Sequence, residues 1–333
     1  MKPRKPIILS GICITALIAV AYFFSQSERD DEIKPNPLKA KPIDKEQLWV
    51  GPARTEIDSL TEEGKLIAYG RDLIANTAHY LGPKGVVMQT TNGMNCQNCH
   101  LDAGTKPWGN NYGGVYTTYP RFRARSGSVE DIYKRVNDCL ERSLNGKILD
   151  TTGREMQAIK AYMEWLGKDL PKGKAPAGSG LMEIPLIERP ADSLKGLQVY
   201  TSQCERCHGK DGQGQFNPDG KTYLYPPLWG KHSYTTGAGL FRLSRLAGYA
   251  YNNMPFGTTY ENPILTVEEA WDVAAFINSQ PHPVKVFKQD WPDISKKPFD
   301  HPFGPYADSF PESQHKYGPF LAIKKFKETS RSN

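Results

Sequence analysis

Two short signatures carry the most explicit chemistry in the chain. Cys96-Gln-Asn-Cys99-His100 recurs 108 residues later as Cys204-Glu-Arg-Cys207-His208. Cys-x-x-Cys-His is the attachment pattern of a c-type haem, in which two thiols add to vinyl groups and the adjacent imidazole becomes the proximal iron ligand. A zinc site would need the two cysteine pairs to cooperate across separate domains. A thioredoxin-like redox pair would need a βαβ setting, and the sequence shows none. Cys96, Cys99, Cys204 and Cys207 therefore read as thioether anchors of two covalently bound haems, with His100 and His208 as their proximal ligands.

The distal side of each iron is read separately. Asn252-Asn253-Met254-Pro255-Phe256-Gly257 resembles the methionine loop of small class I cytochromes c, and Met254 lies 46 residues after His208. A soft thioether favours ferrous iron and raises the potential; the competing reading is a core methionine. The first motif is followed by no such loop. Four of the six cysteines are in the motifs and Cys13 is in the N-terminal apolar run, which leaves Cys139. It lies 13 residues before Thr152, much as Met254 lies 12 before Thr266. Measured from the haem motif, it comes seven residues earlier than Met254 does. An inert buried thiol is the alternative, with Met156 or Met163 then as rival ligands.

Around Cys139 the spacing predicts a helix that opens at Ser128-Val-Glu-Asp131 and closes at Asn145-Gly146. Arg135, Cys139 and Ser143 follow at i, i+4, i+8 and share one stripe, Arg142 borders it, and Ile132, Val136 and Leu140 form an apolar flank. Just upstream, Arg121, Arg123 and Arg125 read either as a solvated basic loop or as an anion site, since guanidinium forks match oxyanion geometry.

The elements that must hold these groups are helical. Thr152-x-x-Glu155 and Thr266-x-x-Glu269 both read as capping boxes, each opening a helix that closes its half of the chain. Met156, Ile159, Met163 and Leu166 keep helical spacing behind the first; Val267, Trp271, Ala274 and Ala275 do so behind the second. Ser193 to Gln203 reads as a helix leading into the second motif. No long alternating strand pattern occurs, so the expected fold is all-α. Two cytochrome c-type domains, 51–175 and 191–285, are expected, joined by a flexible linker over 176–190 and followed by an irregular, Pro-rich wrapping tail, 286–333. The motif repeat is domain-sized, which points to duplication rather than a solenoid.

Ahead of these lie a charged, proline-punctuated tether, 27–50, and an N-terminal segment, 1–26. In it, Lys2, Arg4 and Lys5 precede an 18-residue apolar stretch, Ile7 to Phe24. That length stands between a signal peptide and a membrane anchor, and either reading exports residues 27–333 to the periplasm, soluble or tethered to the inner membrane. The net charge of +6 falls to about +3 without those three cations, too little and too dispersed for a nucleic-acid footprint.

These residues resemble the thiosulfate dehydrogenase family of dihaem cytochromes c, whose members form tetrathionate and in some cases reduce it. The resemblance rests on Arg125 and on Arg135-Val-Asn-Asp-Cys139-Leu-Glu-Arg142-Ser143-Leu-Asn-Gly146, joined to both haem motifs. It extends to Asp300-His-Pro-Phe-Gly-Pro-Tyr306 and Gln314-His-Lys-Tyr-Gly-Pro-Phe320 in the tail. It implies that Cys139 is the distal ligand of the first haem, the active site, with Arg125, Arg135 and Ser143 around a substrate pocket for thiosulfate or tetrathionate. The second haem would pass electrons to a small cytochrome c or a quinol-linked membrane chain. In the family the second haem carries Met or a neighbouring Lys, depending on redox state. Here the neighbour of Met254 is Asn253, a departure that leaves the preferred direction of reaction open. The alternatives are a dihaem electron carrier without catalysis of its own and a dihaem peroxidase.

Overall fold

The computed structural model describes residues 48–332. The apolar stretch 7–24 and the tether up to residue 47 lie outside them.

Three helices frame the first half: α1 (Glu62–Ala75), α2 (Ile132–Arg142) and α3 (Arg154–Leu166). Thr61 caps α1 by accepting the Gly64 amide, and Glu62 and Glu63 complement the positive end of the helix. α1 crosses α3 at Gly70, where a Cβ would stand 1.9 Å from the carbonyl oxygen of Ala158. Only glycine permits that approach. Ile67, Leu73, Ile74, Met156, Ile159, Tyr162 and Leu166 are buried in the core so formed.

The second half repeats the plan with α4 (Ser193–Val199), α5 (Leu243–Asn253) and α6 (Val267–Ser279). α4 meets α6 at Gly196, again with a Cβ position 1.9 Å from a carbonyl oxygen, that of Asp272. The core collects Tyr200, Leu246, Ala247, Trp271 and Ala274. α4 continues through a π-helical turn, Tyr200–Cys204, into the second Cys-x-x-Cys-His segment. Among the described residues strands appear only as two-stranded antiparallel ladders: β1 (Arg121–Arg123) with β2 (Ser128–Glu130), and β3 (Gln215–Phe216) with β4 (Tyr223–Tyr225).

Four local expectations are corrected. The cysteine helix does not open at Ser128: residues 128–130 pair as a strand, and Asp131 alone caps the helix by accepting the Lys134 amide. The capping box at Thr266 and Glu269 forms, but the one at Thr152 does not. Gly153 occupies that N-cap, the Thr152 hydroxyl bonds Asp150 at 2.9 Å, and Glu155 accepts the Tyr69 hydroxyl at 3.0 Å. The segment read as a flexible linker is pinned to the first half. The amides of Trp49, Trp108 and Asn110 donate to the carbonyls of Ala177, Gly178 and Gly180.

The fourth correction concerns the tail, which is not irregular throughout. It ends in α7 (Glu312–Tyr317) and α8 (Leu321–Ser332), and Phe320 and Ile323 are buried in the second core. It touches both halves. Asp290 takes the Arg142 guanidinium through two oxygens at 2.7 and 2.8 Å, while the buried Asp300 binds Arg242 and the Ser244 amide.

Candidate active site

The first Cys-x-x-Cys-His segment opens as a 3-10 turn, Cys96–Asn98, with the Cys96 amide held by the Thr77 hydroxyl at 2.9 Å. The His100 ring stacks on Tyr112 with centroids 4.5 Å apart, and its Nδ1 donates to the Asn110 carbonyl at 2.5 Å. That bond fixes the tautomer and leaves Nε2 free to ligate. Burial pushes the His100 pKa down to about 4, so the imidazole stays neutral, as a metal ligand must. Burial pushes the Cys96 and Cys99 thiols up to about 11 and 12. Neither is in a disulfide. The second motif follows the same pattern, with His208 Nδ1 bonded to the Pro226 carbonyl at 2.8 Å and burial pushing the Cys204 thiol up to about 12.

Cys96, Cys99 and His100 line a largely apolar cavity of about 310 Å³. The opposite chemistry enters it from α2 and from the β1–β2 hairpin. Arg135, Cys139 and Ser143 all line the cavity, so the stripe expected from helical spacing is present there as one set. Cys139 lies close enough to press electrostatically on both motif thiols. The nearby Cys139 sulfur raises the Arg135 guanidinium well above its usual range, against the opposing effect of burial. Met163 shares the cavity wall, whereas Met156 is fully buried in the core.

The arginine cluster divides. Alternation along β1 puts Arg121 and Arg123 on the face that lines this cavity, with Phe122 exposed on the other. Arg125 is not part of this lining. It lines a neighbouring cavity, where its guanidinium stacks over Trp291 at 5.6 Å and its pKa is pushed down to about 10 by burial and then by Arg142. In the sequence Arg121 and Arg123 stand out only as part of a basic run. The strand alternation that selects them requires the pairing to β2, which no local pattern announces. Ala175, at the end of the first domain, and Ser179 and Gly180 of the linker segment also line the first cavity, and no motif in the sequence marks them.

Met254 sits at the C-terminal end of α5, half-buried, its amide bonded to the Ala250 carbonyl. The same helix reaches the first haem motif. Tyr249 donates its hydroxyl to the Asn98 carbonyl at 2.7 Å, and the Asn253 side-chain amide donates to the Trp108 carbonyl at 3.2 Å.

Comparison with known proteins assigns both halves to cytochrome c families. Residues 87–171 match the family model described as SoxA/TsdA, cytochrome c domain, and residues 193–281 match that described as cytochrome c. The thiosulfate dehydrogenase of Allochromatium vinosum is 37% identical over 225 residues, 66% of this chain and 80% of that protein. The chain belongs to the thiosulfate dehydrogenase family. The enzyme of that name from Psychrobacter arcticus is 37% identical over 203 residues, which span 61% of either chain. A solved structure titled thiosulfate dehydrogenase (TsdBA), from Marichromatium purpuratum, superposes with a TM-score of 0.64 at 28% identity, covering 70% of this chain and 49% of that one. Two cytochrome c domains in such a family carry two c-type haems, and the paired thiols and carbonyl-bonded histidines fit them.

Proposed function

We propose that this protein is a dihaem oxidoreductase that couples two thiosulfates into tetrathionate, or runs that reaction in reverse, with the first cavity as its active site. The observation that carries the reading is the convergence of Cys139, Arg135 and Ser143 on the cavity that holds Cys96, Cys99 and His100. A plain electron carrier has no use for a cationic pocket around an unpaired thiol.

The balance is 2 S2O3(2−) to S4O6(2−) plus two electrons. When bound, the two haems supply two one-electron acceptors, one for each electron released. The rest falls to the chain. Two dianions at about 4 Å repel by about 4 kcal/mol even in water, and by more in a partly desolvated cavity. Arg121, Arg123 and Arg135 offset that repulsion, and their forks orient the oxyanion heads. Ser143, half-buried on the same wall, offers a hydroxyl donor. Cys139 would hold the first haem iron together with His100, and its sulfur, on the same cavity wall as Arg135 and Ser143, would meet the sulfane sulfur of the substrate. The Asn110 and Pro226 carbonyls orient the His100 and His208 rings, which would ligate the two haem irons. Met254 would supply a thioether ligand to the second haem, which favours ferrous iron. The Tyr249 bond to Asn98 of the first motif and the Asn253 bond to Trp108 just beyond it tie α5 to the first half and support a short electron path between the domains. The redox partner is a small cytochrome c or a membrane quinol-linked chain.

The test is direct. Thiosulfate added to the oxidised holoprotein should reduce the haem bands, or tetrathionate should oxidise those of the reduced protein. A protein whose bands respond to neither, yet exchanges electrons with a small cytochrome, is an electron carrier and the proposal fails.

A further inference from the structure

The second cavity, of about 580 Å³, is walled by Arg125, by Thr236 to Arg242, Val284 and Lys285 of the second half, and by the tail from Val286 to Pro305. Its acid–base content is unbalanced. Asp290 is already bound by Arg142, and Arg242 by Asp300. Among the described residues no carboxylate pairs with the other four cations on the wall: Arg125, Lys285, Lys288 and Lys297. Two of these have only neutral partners. The Lys285 ammonium donates to the carbonyls of Glu141 and Gly146, and that of Lys297 to the carbonyls of Phe303 and Pro305.

Lys297 is 5% exposed, and a cation so buried is costly to hold without a counter-charge. Burial lowers the pKa of both Lys297 and Arg125, the strain that a bound anion would relieve. The cavity adjoins the cysteine helix. Lys285 binds carbonyls at its C-terminal end, and Arg142, one turn beyond Cys139, reaches Asp290 on the cavity wall.

We infer that this tail-walled cavity is a second binding site for a sulfur-oxyanion dianion, holding one thiosulfate while the other occupies the Cys139 cavity. The inference rests on the proposed coupling reaction, which needs two dianions held close but apart until they react. Arg125 and Lys288 present the unpaired charge, Lys297 supplies fixed positive potential behind them, and Trp291 holds the Arg125 fork by stacking. The tail thereby contributes to substrate binding as well as to packing.

The experiment titrates thiosulfate into the fully reduced holoprotein, which has no acceptor and cannot turn over, and counts sites calorimetrically. Two sites per chain are expected. Lys288→Ala, at an exposed position, and Lys297→Met should each weaken one site by about tenfold or more, the scale of one charge-assisted contact, and leave the other intact. Arg135→Ala should weaken the other. In steady state the two lysine variants should lose activity through KM rather than kcat. One site per chain, or two sites that neither lysine variant weakens, would overturn the inference. A wild-type protein that binds two thiosulfates but never oxidises them would overturn the proposed reaction and leave the second site standing.

Discussion

At the residue scale, α2 carries two jobs on adjacent faces. One face presents Arg135, Cys139 and Ser143 to the cavity. The other sends Arg142, 4% exposed, into a sandwich between Asp290 and the Phe287 ring, whose centroid is 3.6 Å away. Removing that guanidinium strands the Asp290 carboxylate and opens a hole beside the ring. Arg142→Ala should therefore lower stability by about 3 kcal/mol or more, the cost of breaking a buried pair from one side. The check is the denaturant midpoint of the holoprotein. A loss below about 1 kcal/mol would mean that the pair is solvated and worth no more than a surface bridge.

At the element scale, the two close crossings are the weakest points to alter. Gly196→Ala should push α4 off α6 by steric overlap with the Asp272 carbonyl and destabilise the second half by about 1–3 kcal/mol, as overpacking does. Differential melting of the two haem environments would show it, with the second loosening first. Equal melting of both would contradict the reading. Elements also set the limit of what the sequence disclosed. The Arg135–Cys139–Ser143 stripe was legible because all three residues lie on one helix and 3.6-residue periodicity is local. The capping box at Thr266 was legible for the same reason. The failed box at Thr152 was not, because Glu155 is claimed by Tyr69, a partner 86 residues away in sequence. Arg121 and Arg123 could not be separated from Arg125 without the β1–β2 register, and the linker looked loose because its backbone partners are carried by other segments.

At the scale of the whole molecule, the tail ties the halves together and walls the second cavity. His301 lies in that wall, and burial, then Lys297, push its pKa down to about 4 from 6.5. The unfolded chain takes up this proton near 6.5 and the folded chain only near 4. The stability contributed by the neutral ring is therefore complete above pH 6.5 and is lost as the pH falls through about 4. His301→Phe should flatten that part of the decline when midpoints are compared across this window in oxyanion-free buffer. Parallel curves for the two proteins would show that His301 does not drive it. The overall plan of two haem-bearing helical halves was readable from the repeated motif alone. The tail's helices and its part in walling the second cavity were not, since its prolines and aromatics gave no period to follow.

The central claim is that Cys139 makes the first cavity catalytic, and Cys139→Ala tests it most directly. Cys96, Cys99, Cys204 and Cys207 remain in this variant, so it should still bind both haems. Its first haem should lose the low-spin signature of a thiolate ligand, and thiosulfate–tetrathionate interconversion should fall by at least about 1000-fold, the scale of losing a covalent or ligating catalyst. A variant that kept both the spectrum and most of the activity would contradict the account, because Cys139 would then be a core thiol beside a haem whose distal ligand lies elsewhere.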